Sequence, residues 1–132
     1  MIQESNVGAE HEVVKTVSPD VTAKAVGSGD LDVFATPMMI AMMEEAAAGA
    51  VAGFLDDDES TVGTAIDVKH TAATPVGMEV RAAAKLVSVD GRKLHFEIEA
   101  FDESGKIGEG EHDRFIIRKT SFMEKANGKL KR

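Results

Sequence analysis

Residues 37–55 read PMMIAMMEEAAAGAVAGFL, and Glu44 and Glu45 are the only polar side chains in that run. A helix lying on a protein surface carries a charged stripe, whereas this segment is apolar nearly all round, so a helix here is buried on most of its sides. Thr36 and Pro37 provide the start: the threonine hydroxyl is expected to cap the first free N–H groups, with proline at the first helical position. The acidic run Asp56-Asp57-Asp58-Glu59 ends the helix. Carboxylates oppose the dipole at a helix C-terminus, which places them in a solvated loop.

Beyond residue 60 the pattern changes to that of strands. Thr61 to Thr71, Glu79 to Val89, Arg92 to Phe101 and Ile107 to Lys119 are the expected runs. In the third, Leu94, Phe96, Ile98 and Ala100 share one face while Lys93, His95, Glu97 and Glu99 share the other, so the sheet is dry on one side and wet on the other. Thr74-Pro75-Val76-Gly77 reads as a type I turn, Asp90-Gly91 as a two-residue hairpin loop and Asp102-Glu103-Ser104-Gly105 as a looser one. Before the helix, Glu10 to Val26 suits one or two strands around a Ser18-Pro19-Asp20 turn, followed by the link Gly27-Ser28-Gly29-Asp30. The fold class is therefore α+β: one long buried helix wrapped by a curved antiparallel sheet. A single sheet cannot close around every side of such a helix, so a second copy is expected to cover the remainder as a homodimer.

The chain has 132 residues with 23 acidic and 15 basic side chains, a formal charge of −8 and no cysteine. That length suits one domain, taken as residues 1–132 with 1–9 and 124–132 as frayed ends. The charge disfavours a nucleic-acid partner, and the basic tail Lys125–Arg132 reads as solvated. Absence of cysteine excludes a thiol nucleophile, a thiolate metal site and disulfides. The opening residues do not form a signal peptide, and two carboxylates interrupt the apolar stretch, so no membrane span and a cytoplasmic location are expected.

Three residues carry candidate chemistry. Adjacent helix positions differ by about 100° in direction, so Glu44 and Glu45 cannot enter one pocket. At least one is expected on a face the composition makes dry, where a carboxylate is suited to base or nucleophile work; the alternative is that both sit at an edge of the helix reached by water. His70 shares its strand face with Thr64, Ile66 and Val68, a face directed at the helix, and an imidazole within reach of a helix carboxylate makes a general-base pair. Thr36 presents a hydroxyl where helix N–H groups gather. Eight residues, about 12 Å of rise, separate Thr36 from Glu44. Either a ligand spans that gap or two subunits share the site. His11, His95 and His112 read as ordinary, and no metal-binding histidine spacing occurs. Gly108 and Gly110 mark a strand that something approaches closely, with a bulge or tight helix packing favoured over a ligand channel.

The stretches VFATPMMIAMMEEAA (33–47), TVGTAIDVKHTAATPVGMEV (61–80) and IGEGEHDR (107–114) resemble the fluoroacetyl-CoA thioesterases of the hotdog superfamily. The resemblance covers about residues 33–120, and the HTAATP segment with the Thr–Glu–His spacing is its most specific part. It implies a dimeric hotdog enzyme that hydrolyses a small acyl-CoA at the subunit interface. The catalytic threonine, glutamate and histidine match Thr36, Glu44 and His70. Gly63 matches the glycine near the reacting carbonyl, where a backbone N–H serves the oxyanion. Arg114 matches an active-site arginine, and Phe34 falls with them among the substrate-binding residues. No cofactor is implied, CoA being part of the substrate. Gly27 to Val33 holds none of the aromatic lid of the fluoroacetyl enzyme, and Glu45 stands where that enzyme has an aromatic residue. The expectation is therefore a general short-chain acyl-CoA. The alternatives are a non-catalytic acyl-CoA or small-ligand binding dimer and a hydratase-like hotdog enzyme, which nothing in the residues favours.

Overall fold

The apolar segment forms helix α2 (Thr36–Val51), continued by a 3-10 turn over Ala52–Phe54. Four strands follow: β2 (Glu59–His70), β3 (Glu79–Asp90), β4 (Lys93–Asp102) and β5 (Gly105–Arg118). With β1 (Glu10–Thr16) they make one antiparallel sheet in the order β1-β3-β4-β5-β2. The structure, a computed structural model, describes residues 1–130. The expected α+β layering is present, with α2 lying on the dry face chiefly against β3 and β1. No helix among the described residues is long and apolar enough to cross a membrane.

The alternation read in β4 is reproduced: Leu94, Phe96, Ile98 and Ala100 are all 2 % exposed or less. From the helix, Met39, Met43, Ala46, Ala47 and Val51 are fully buried against them. Each methionine so buried contributes about 1.5–3 kcal/mol. The helix is not dry all round, however. Thr36, Ile40, Glu44 and Ala48, spaced four apart, make a stripe that stays partly or fully open.

Several local expectations change in detail. The second half of the N-terminal region is no strand: Pro19–Val21 is a 3-10 turn and α1 (Ala23–Val26) is a one-turn helix capped by the Thr22 hydroxyl, which accepts from the Ala25 N–H at 3.2 Å. Ile2 is buried at 3 % exposure and the N-terminal ammonium pairs with Asp56 at 3.0 Å, so the first residues are held rather than frayed. The acidic run is not wholly solvated either, since Glu59 is buried as the first residue of β2. The C-terminal stretch continues as α3 (Lys119–Asn127), and the end of the basic tail, 131–132, lies outside the described residues. In the loop before β3 the Met78 N–H donates to the Pro75 carbonyl, which puts Gly77 third with φ +95°, as a type II turn requires. The β3–β4 loop is Gly91-Arg92, one residue later than expected, because Asp90 pairs with Lys93.

Two irregular stretches of the sheet shape its helix-facing side. In β2 the pairing with β5 shifts between Gly63 and Ala65, a β-bulge that leaves Thr64 unpaired. Thr64 therefore drops out of the face it was expected to share, and Gly63 joins Ile66, Val68 and His70 on the helix side. In β5 the two glycines do admit close neighbours. A Cβ at Gly108 would lie 2.7 Å from the Met39 sulfur, and one at Gly110 2.7 Å from Val68 Cα. Tight packing is thus the reason for both.

The wet face carries an ionic lattice. Lys106 bridges Glu99 and Glu109, and His95 is clamped between Asp113 (Nδ1 to Oδ1, 2.5 Å) and Glu111 (Nε2 to Oε1, 2.7 Å), with Lys93 3.8 Å from Asp113. The Asp113 hydrogen bond, against a smaller burial penalty and with help from Glu111, raises the His95 pKa above its ordinary 6.5. A raised histidine stabilises the fold fully below the unfolded-state pKa and ceases to do so as pH rises through the folded value. The stability difference between the wild type and His95→Gln, from urea unfolding, is expected to be largest below pH 6.5 and to shrink as pH rises above it; a difference independent of pH would refute the clamp. Gly110→Ala is expected to destabilise by about 1–3 kcal/mol. Gly53→Ala, where a Cβ meets nothing within 4 Å, serves as the neutral control.

Candidate active site

Helix α2 begins one residue earlier than its expected cap. Ala35 is the N-cap residue, Thr36 already belongs to the first turn, and no side-chain cap bond forms. The Thr36 hydroxyl is turned instead towards β2, where it lies 2.7 Å from His70 Nδ1. Capping, expected of Thr36 in any case, is therefore not its role. His70 faces the helix as its strand position dictates, opposite Gly108. Burial is the larger influence on it and lowers its pKa against the opposing pull of the Ala72 backbone, so the ring is neutral at pH 7. Its Nε2 is buried and has no hydrogen-bond partner among the described residues.

Thr36 and His70 stand at the wall of an open cleft of about 300 Å³ lined also by Ala23, Ser28, Val33, Phe34 and the segment Thr71–Ala73. Phe34 is 4 % exposed, and its N–H donates to the Thr74 carbonyl at 2.8 Å. Thr74 is itself buried and its hydroxyl donates to Asp102 at 2.8 Å. The HTAATP segment thereby ties the mouth of the cleft to the start of the helix.

Glu44 is elsewhere. Its Oε2 lies 3.4 Å from Arg114 Nη1 and 3.9 Å from His112 Nε2. A Cβ at Gly63 would fall 2.5 Å from the same oxygen, so a glycine there leaves the carboxylate its place. Glu45 points away and pairs with Lys15 at 2.9 Å, as the 100° offset between the two glutamates demands. Arg114 is buried at 7 % exposure and fixed by Thr61, to whose hydroxyl Nε donates and to whose carbonyl Nη2 donates, both at 2.9 Å. Burial lowers the Arg114 pKa, and the nearby Glu44 carboxylate opposes that shift.

The six expected residues thus fall into two groups of three. Thr36, His70 and Phe34 gather at the start of the helix, and Glu44, Gly63 and Arg114 beside its middle. Gly63 and His70 are seven residues apart on one strand, roughly 20 Å at strand rise with the bulge between them allowed for. Within one chain the expected imidazole–carboxylate pair does not form: His70 partners Thr36, and Glu44 partners Arg114 and His112. Sequence reasoning passes over His112, which is 2 % exposed, by weighing the charges that flank it in the chain. A signal does exist, because Gly110, His112, Arg114 and Ile116 alternate as Ile66, Val68 and His70 do.

The family model described as fluoroacetyl-CoA-specific thioesterase matches residues 17–120. A fluoroacetyl-CoA thioesterase of Streptantibioticus cattleyicolor is 44% identical over 100 residues, 76% of this chain and 69% of that protein. A mutant of the fluoroacetyl-CoA enzyme FlK, solved in complex with acetyl-CoA, superposes with a TM-score of 0.90 at 36% identity, covering 95% of this chain and 98% of that one. A hot-dog-like protein of Thermanaerovibrio acidaminovorans shares the fold at a TM-score of 0.85 and 19% identity, over 96% and 93% of the two chains. Helix, sheet and both clusters of side chains lie within or beside the matched residues, and this hotdog chain belongs to the fluoroacetyl-CoA-specific thioesterase family.

Proposed function

We propose that the protein is an acyl-CoA thioesterase that hydrolyses a small acyl-CoA to the free acid and CoA. The observation that carries this reading is the His70–Thr36 pair at the cleft wall, where a neutral imidazole keeps a buried Nε2 without a partner among the described residues. Buried polar atoms are satisfied in native proteins unless a ligand or a reaction uses them. In the reaction Glu44 attacks the thioester carbonyl or deprotonates water that does so. When water attacks, its C–O bond forms as the C–S bond breaks; when Glu44 attacks, the C–S bond breaks to leave an acyl-glutamyl anhydride, which water then hydrolyses to the free acid and the regenerated carboxylate. In both routes the departing thiolate takes a proton that comes from water and is relayed through His70. Thr36 orients the reacting group, Gly63 offers a backbone N–H to the oxyanion, Arg114 holds the carboxylate, and Phe34 shapes the acyl end of the cleft. Thiolate is a good leaving group, so the chemistry calls for no metal or cofactor.

The two half-sites are too far apart to act together in one chain, and the reading therefore includes a homodimer in which Glu44 of one copy meets Thr36 and His70 of the other. Strand β2 supports this, since it ends the sheet with one edge unpaired and carries Ile66 at 37 % exposure beside the half-open stripe of α2. Edges of that kind are templates for pairing with another chain. The absence of aromatic side chains over Gly27–Val33, next to the cleft, favours a general short acyl group over a fluoroacetyl-selective site.

Free thiol released from acetyl-, propionyl- and longer acyl-CoAs tests the proposal. Glu44→Ala and His70→Ala are each expected to lower kcat by at least about 100-fold. Mixing the two inactive variants through unfolding and refolding is expected to restore about a quarter of wild-type activity, since half of the dimers are then mixed and each has one intact site. No recovery, with refolding shown by wild-type controls, would leave the shared site untenable; binding of acyl-CoA without release by the wild type would make the protein a ligand-binding module.

A further inference from the structure

We infer that His112 is a positioning residue that keeps Arg114 from closing a full ion pair on Glu44. The inference rests on the reading of Glu44 as the acting carboxylate and adds a residue to which that reading gives no part. His112 Nδ1 lies 2.7 Å from the Ala65 carbonyl. A carbonyl only accepts, so Nδ1 carries the hydrogen. Ala65 is the residue at which β2 resumes its register after the bulge. Burial first, and then the charge of Arg114, lower the His112 pKa against the pull of Ala65, Glu44 and Asp113, so the ring is neutral and Nε2 presents a lone pair.

That lone pair lies 3.2 Å from Arg114 Nη1, which lies 3.4 Å from Glu44 Oε2. Arginine only donates, so Nη1 gives one hydrogen to the imidazole and directs the other at the carboxylate. Thr61 occupies Nε and Nη2, so the guanidinium is held on one side by the threonine and on the other by His112. The Glu44 contact is the longest of the four. A full charge-assisted pair closes to about 2.7–2.9 Å, and a carboxylate gripped that tightly is a weaker base and nucleophile. His112 is the acceptor that competes for Nη1. It cannot donate to Glu44 itself while Nδ1 holds its only hydrogen, so its influence passes through the guanidinium.

Three substitutions separate the possibilities. His112→Phe keeps a ring but removes both polar atoms. His112→Asn keeps a donor for Ala65 but has no acceptor where Nε2 sat, and His112→Gln reaches that place with a carbonyl oxygen. In crystal structures of the Phe and Asn variants the Nη1–Oε2 separation is expected to contract from 3.4 Å to about 2.8 Å, while Gln retains the longer distance. In thiol-release assays Phe and Asn are expected to lower kcat about ten-fold with KM changed by less than about three-fold, and Gln to stay within about three-fold of wild type in both. If one of Phe and Asn fails to fold, the other decides. An unchanged separation in a folded Phe or Asn variant, unchanged kcat, or a Gln variant as impaired as Phe would overturn the role. A wild type that releases no thiol from any thioester would sink the thioesterase reading alone, because the crystallographic separation still judges His112.

Discussion

A shift of one residue in the pairing of β2 decides which of that strand's groups meet the candidates carried by the helix. Side chains on a strand alternate, so Gly63 and His70, an odd number apart, would face opposite sides of an unbroken β2. The bulge between Gly63 and Ala65 brings both to the helix side. From there His70 reaches the Thr36 hydroxyl, and Gly63 lies flat beneath the Glu44 carboxylate. The carbonyl of Ala65, just past the irregularity, takes the hydrogen of His112. A local defect in the hydrogen-bond ladder thus links a buried imidazole, a buried guanidinium and the bare backbone at position 63.

The helix supplies the second constraint. Its length fixes the distance between Thr36 and Glu44, and its apolar surface fixes which of two neighbouring glutamates turns inwards. Glu44 is directed to the β2–β5 side, where Arg114 compensates its charge, and Glu45 is directed to β1, where Lys15 does so in the open. Each carboxylate thus meets a cation, and Glu44, with its side chain 42 % exposed, keeps contact with water as well. The cation beside Glu44 is itself desolvated and needs Thr61 on its far side. Packing and chemistry are for this reason not separable here.

Much of this architecture is legible in the residues. The run 37–55, apolar but for two glutamates, demands a largely buried helix, and the alternation in 94–100 demands a sheet with one dry face. The face of His70 follows from Ile66 and Val68, and the divergence of Glu44 from Glu45 follows from helix geometry. What cannot be read depends on register. Nothing in TVGTAIDV announces where the ladder slips, because a bulge reflects pairing with a strand some 45 residues away. The same holds for the hairpin loop at Gly91-Arg92 and the turn at Gly77, both displaced by one position. Thr36 departs from expectation for another reason: its hydroxyl has two partners available, the helix end and His70, and only the approach of β2 decides between them. The identity of the half-sites, too, follows from distance between elements rather than from spacing along the chain.

Gly63 is not among the glycines that need a left-handed backbone. Its smallness leaves room for the Glu44 carboxylate oxygen and for the His112 ring, whose Cε1 would lie 3.2 Å from a Cβ at that position. The cost of a larger residue would fall on that acid and that imidazole rather than on the backbone conformation. A single added methyl there would disturb at once the two groups that share the Nη1 of Arg114.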